Sequence, residues 1–87
     1  MAARGSEAIV GAIVGFVNAE IMAPGHALAA SDGFELAGVD SMALLKILLF
    51  VEREFGFWMP EEDLVVDNVA SAAVLGAYVA ARLGGDD

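Results

Sequence analysis

An all-α bundle is what this sequence predicts, on three observations. Apolar residues recur at three- and four-residue spacing in three long stretches. No stretch shows the period-two alternation of a strand, and helix stop signals fall where each periodicity ends. Three longer helices and one short third helix, with a long loop between the first two, account for the chain. At 87 residues it is expected to be a single domain, 1–87, ordered over roughly 6–83 with short frayed tails, Gly84–Asp87 among them.

Ser6 and Glu7 open the first helix. Ile9, Ile13, Phe16, Val17 and Ile21 share one helical face, with Val10 and Val14 beside them. Gly11 and Gly15 weaken this helix, and Pro24-Gly25 ends it. Residues 23–40 have no sustained period and carry turn signals at Pro24-Gly25 and Ser31-Asp32-Gly33. A connection this long in so small a chain is either functional or hides an unread element. Phe34, Leu36 and Val39 are its expected anchors on the core.

Asp40 and Ser41 offer an N-cap for the second helix, Met42 to Phe55, which contains no breaker. It is apolar on nearly every side, Lys46 being the only charge before Glu52. Such a helix is central to a core or partly committed to partners. Gly56 suits the left-handed position after a helix, with Phe57 as the hydrophobic residue that follows. Pro60 before Glu61, Glu62 and Asp63 predicts the short third helix, with acids at its positive end. Val65–Asn68 reads as extended or turn-like. Ser71 or Asn68 caps a last helix whose stripe is Val74, Ala77, Tyr78 and Ala81, flanked by Leu75, Val79 and Leu83.

Composition narrows the function. Thirteen acidic residues against four basic ones give a net charge of −9, which opposes binding nucleic acid by phosphate neutralisation. The apolar fraction of 59% includes too many large side chains for a disordered acidic tail. The mean hydropathy of +0.70 raises the question of a membrane. The longest uncharged runs, Ala8–Ala19 and Asn68–Ala81, are shorter than the roughly 18–20 apolar residues a span requires. Arg4 before the first run loosely imitates a signal peptide, but Glu7 and Glu20 flank that run. A cytoplasmic monomer without membrane contact is expected.

Chemistry within the chain is sparse. With no cysteine there is no disulfide, thiolate metal site or cysteine nucleophile. The single histidine, His26, sits in the Pro-Gly loop without an orienting carboxylate nearby and reads as a surface residue. Glu61, Glu62 and Asp63 lack the spacing of a calcium loop. The chain is not expected to be an enzyme or to hold a metal.

Gly38-Val39-Asp40-Ser41-Met42 joins the long loop to the most apolar helix. By itself, this is a pattern of helix capping. From Phe34 to Leu83, however, the chain resembles an acyl or peptidyl carrier protein. The family's G-x-D-S-L motif is matched by Gly38, Asp40 and Ser41, with Met42 in place of leucine. Glu52-Arg53-Glu54-Phe55-Gly56 is similar to the family's E-x-x-F-G. Met59-Pro60-Glu61-Glu62-Asp63-Leu64 is similar to I-P-x-E-D-L, and Asn68-Val69-Ala70-Ser71 resembles the approach to the family's last helix.

The resemblance implies a four-helix carrier bundle in which Ser41 receives 4′-phosphopantetheine from coenzyme A, with Asp40 on the surface that the phosphopantetheinyl transferase reads. The arm's thiol would hold an acyl or aminoacyl thioester, which fits a chain without cysteine. The implied partners are the transferase, an acyl- or aminoacyl-activating ligase or adenylation enzyme, and downstream condensing, tailoring or transfer enzymes. Met42, Leu45, Lys46, Leu49, Glu52 and Arg53 fall on one face of the second helix, the face such partners commonly meet. Helix position alone leaves Leu45 and Leu49 open between that face and the core.

One departure is informative. Fatty-acid carriers are typically acidic five and twelve residues after the serine, where this chain has Lys46 and Arg53. Like charge against a basic partner discriminates between partners. A discrete carrier of specialised polyketide or nonribosomal peptide metabolism is therefore expected. The alternative is a small helical interaction or docking module in which Ser41 is only a cap.

Overall fold

The computed structural model describes residues 5–84, and the residues 85–87 of the expected C-terminal tail lie outside these. The described residues form helices joined by turns, with no strand and a single isolated bridge between Gly33 and Ser71. The helices are α1 (Ser6–Glu20), α2 (Phe34–Ala37), α3 (Ser41–Phe55), α4 (Val66–Val69) and α5 (Ala72–Gly84), with a 3₁₀ turn at Glu61–Asp63.

The expected face of α1 is the one that packs. Ile9, Ile13 and Val17 are buried at four-residue spacing, with Val10, Val14, Phe16 and Ile21 partly covered around them. Each such fully buried aliphatic contributes about 1.5–3 kcal/mol. On α3 the buried residues are Ile47, Leu48 and Val51, and Phe50 stacks on Phe16 with ring centroids 4.5 Å apart. Gly56 ends α3 at φ 73°, donating its N–H to the Glu52 carbonyl, the left-handed stop that glycine adopts without strain.

The last helix corrects the sequence reading. Its buried residues are Ala72, Leu75, Gly76 and Val79, whereas Val74, Ala77 and Ala81 are exposed and Tyr78 is half-buried. The small side of α5 faces α1, because an added Cβ on Gly76 would overlap the Val10 side chain. The buried face runs through Leu75 and Val79, expected only as flanking residues, with Ala72 and Gly76 beside them. Ser71, rather than Asn68, caps this helix through its Oγ, which accepts from Val74 N–H at 3.2 Å. Asn68 instead donates to the Asp63 carbonyl at 2.8 Å. The helix also continues through Gly84, expected in the tail.

Two further expectations change. The long connection contains α2, a single turn too short to show a period. Val66–Val69 is the helical turn α4, where an extended or turn-like segment was expected. Of the expected loop anchors, Phe34 is buried and Val39 half-buried, but Leu36 is 95% exposed. Leu28 takes the anchoring role, buried and held by Asn18. Its N–H donates to Asn18 Oδ1 at 2.7 Å, and its carbonyl accepts from Asn18 Nδ2 at 3.1 Å.

Candidate functional site

The approach to Ser41 is fixed by backbone hydrogen bonds. Phe34 N–H donates to the Ala70 carbonyl at 2.8 Å and Ala73 N–H to the Ala30 carbonyl at 2.9 Å, tying the connection to the start of α5. Gly38 ends α2 at φ 93°, which explains a glycine at this motif position without any appeal to a ligand. Val39 N–H then donates to the Phe34 carbonyl at 2.9 Å, and Asp40 runs extended into α3.

Asp40 is the N-cap: its Oδ1 accepts from Ala43 N–H at 2.9 Å. Ser41 is therefore the first helical residue and not the cap. It is exposed, and its hydroxyl engages no hydrogen bond among the described residues. The helix start leaves the first-turn N–H groups without intrahelical acceptors, a setting that favours an anionic group.

The expected face of α3 is one continuous exposed surface. Met42 is 68% exposed, Leu45 44% and Leu49 48%, and Lys46, Glu52 and Arg53 are exposed with them. Leu45 and Leu49 thus stand outside the core, and Leu48 beside them enters it. Beside the start of α3 lies an apolar groove of about 350 Å³, lined by Phe34, Leu36, Val39, Leu44, Val66 and Val69 among others. The sequence did not reveal these groove residues as a group. Leu36 and Val66 lie on single-turn helices whose faces no periodicity exposes.

Elsewhere, His26 is exposed in its turn. Asp63 joins two partners on α5, accepting from Tyr78 Oη at 2.5 Å and from Arg82 at 2.8 Å. Partial burial first, and then the hydrogen bond to Asp63, raises the Tyr78 phenol above its ordinary pKa of 10.0. Among the described residues no cluster of His, Asp and Glu is arranged to hold a metal ion, and no helix is long and apolar enough to cross a membrane.

A family model described as a phosphopantetheine attachment site matches residues 11–79. The chain belongs to this family of carrier proteins. Comparison with curated proteins and with solved structures gives no match. Carriers of this family hold 4′-phosphopantetheine covalently, and such domains are generally non-catalytic. Family membership implies work with a phosphopantetheinyl transferase and with partner enzymes. The site fits the group: an exposed, unengaged hydroxyl stands at the start of α3, and an apolar groove lies beside that helix start.

Proposed function

We propose that Ser41 is the residue that receives 4′-phosphopantetheine, and that the chain carries acyl or aminoacyl thioesters in a specialised polyketide or nonribosomal peptide pathway in the cytoplasm. The observation that carries the attachment is the division of labour at the helix start. Asp40 performs the capping, which leaves the Ser41 hydroxyl free for modification. The transferase positions this hydroxyl and removes its proton. Ser41 Oγ bonds to the phosphorus bearing the pantetheine, the pyrophosphate bond of coenzyme A breaks, and adenosine 3′,5′-bisphosphate leaves. When bound, the group supplies a flexible arm and the thiol that the chain lacks.

Asp40 serves this reading twice, as the cap that sets the Ser41 backbone and as a carboxylate at the surface the transferase approaches. Met42, Leu45, Lys46, Leu49, Glu52 and Arg53 form the surface that partner enzymes read. Lys46 and Arg53 support the specialised pathway, since a basic patch built for acidic carriers meets like charge at both. Intact mass after incubation with a transferase and coenzyme A tests the attachment. The full chain should gain one phosphopantetheinyl group and the Ser41→Ala chain none; an equal gain on both would remove the assignment. Loading by a fatty-acid malonyl transferase tests the pathway. Turnover should be poor and should improve on changing Lys46 and Arg53 to Glu.

A further inference from the structure

Three of the four basic residues lie among the described residues, and their roles differ. Arg82 is engaged by Asp63 and lies over the Tyr78 ring. Lys46 and Arg53 form no ion pair among the described residues. Both stand on the exposed side of α3, seven residues apart.

Met42, Leu45 and Leu49 run alongside them at spacings of three and four residues, all substantially exposed. In heptad terms these occupy successive a, d and a positions, while Lys46 and Arg53 both take e. The other side of the helix, Ile47, Leu48 and Val51, is already used by the core. Thus α3 presents a short second apolar seam, Met42 to Leu49, which ends at Glu52 in the next d position and has cations along one edge. A groove of about 310 Å³ widens the seam toward α1, lined by Phe16, Leu49, Glu20, Lys46 and Arg53.

We infer that this seam receives an α-helix of a partner enzyme, one whose apolar stripe is flanked by carboxylates seven residues apart. The inference rests on the carrier reading and names the chemistry of the partner's contact surface. Lys46 and Arg53 are separated by about 10.5 Å along the helix axis, the rise of one heptad. Carboxylates one heptad apart on a facing helix meet both cations at once, while the apolar residues beside them supply burial. The excess negative charge of the chain does not cancel this match. Screening over about 8 Å at physiological ionic strength confines distant acids, so local pairs decide. Glu20 and Glu52, which share this face, fix the register by repelling carboxylates placed opposite them. A second copy of the chain is a poorer occupant, because the same face offers Lys46 and Arg53, not carboxylates, at heptad spacing.

Two synthetic helical peptides with the same leucine stripe provide the test, one flanked by Glu at heptad spacing and the other by Lys. Each is titrated into the isotope-labelled, unmodified full chain and followed by amide chemical shifts. The acidic peptide should bind about tenfold more tightly at physiological ionic strength, the ratio expected when two exposed ion pairs replace two like-charge contacts. Its shifts should centre on Phe16, Lys46, Leu49 and Arg53, and the K46E/R53E double variant should reverse the preference. A preference for the basic peptide, no binding of either, shifts centred elsewhere, or an order unchanged in the double variant would overturn the inference. Self-association through the same residues, seen by sedimentation without peptide, would also overturn it. Because the chain is unmodified, a failure of Ser41 loading removes the carrier reading alone and leaves this result standing.

Discussion

Val10 and Gly76 meet where α1 lies against α5, and only the absence of a side chain at Gly76 permits the contact. A Cβ there would overlap Val10 Cγ2 and lie 3.1 Å from both Val10 N and Cα. Alanine normally stabilises a helix by about 1 kcal/mol over glycine, but overpacking costs about 1–3 kcal/mol. Gly76→Ala should therefore lower the urea midpoint, with its denaturant slope preserved. Gly11 and Gly15, where an added Cβ would meet nothing within 4 Å, provide the control: alanine at either should raise the midpoint. A rise for Gly76→Ala as well would contradict the packing described.

The two roles assigned to Asp40 separate by substitution. Asn caps a helix about as well as Asp, whereas Ala loses about 1 kcal/mol. Asp40→Asn should keep the melting temperature and lower kcat/KM for the transferase, if the carboxylate is read as charge. Asp40→Ala should lower both. Full transferase activity with Asp40→Asn would leave the residue as a cap alone.

Asn18 closes the long connection through two hydrogen bonds to Leu28. Asn18→Ala leaves the part-buried Leu28 backbone groups unpaired, at a cost of about 1–3 kcal/mol. Amide exchange should accelerate over residues 23–33, more than at Leu75 or Val79 in α5. Uniform acceleration throughout the chain would mean that the clamp does not act locally.

Tyr78 gives the fold a dependence on high pH. Its phenol pKa is raised in the folded chain, so the neutral form is favoured by folding. That stability is fully present below the unfolded value of 10.0 and is lost as pH rises through the higher folded value. Stability should fall as pH rises above 10.0 more steeply in the native chain than in Tyr78→Phe. Parallel profiles would show that the phenol contributes nothing to this dependence.

Signals that act within a few residues were legible in the sequence. Asp40 before Ser41, Gly56 after Phe55 and Ser71 before α5 cap or stop helices through neighbouring backbone groups, so their types announce their roles. Ile9, Ile13 and Val17 were equally plain, because three turns of one face repeat. The single-turn helices at Phe34–Ala37 and Val66–Val69 repeat nothing and remained hidden. The face of α5 was misread because Val74, Ala77, Tyr78 and Ala81 have the same helical spacing as the buried Ala72, Leu75, Gly76 and Val79, and only the contact of Gly76 with Val10 selects between the two faces. Asn18 with Leu28 and Asp63 with Tyr78 are paired across ten and fifteen residues, distances at which no local pattern identifies a partner. Around the candidate site, Asp40, Ser41 and the α3 face were readable from spacing and resemblance. The groove beside them was not, since chain reversals assemble it.

The Asn18–Leu28 clamp makes the long connection two segments with different tolerances. Residues 28–40 form a strap whose length and path set the start of α3. Residues 19–27 reverse the chain upstream of the clamp, and their tip at Pro24-Gly25 is exposed. Extra residues inserted at that tip lengthen a closed loop, for which the entropy cost grows only logarithmically. The same insertion between Ala30 and Gly33 would pull directly on the bonds to Ala70 and Ala73. Pro24-Gly25 is thus the place to graft a reporter or an affinity handle while leaving Ser41 in position.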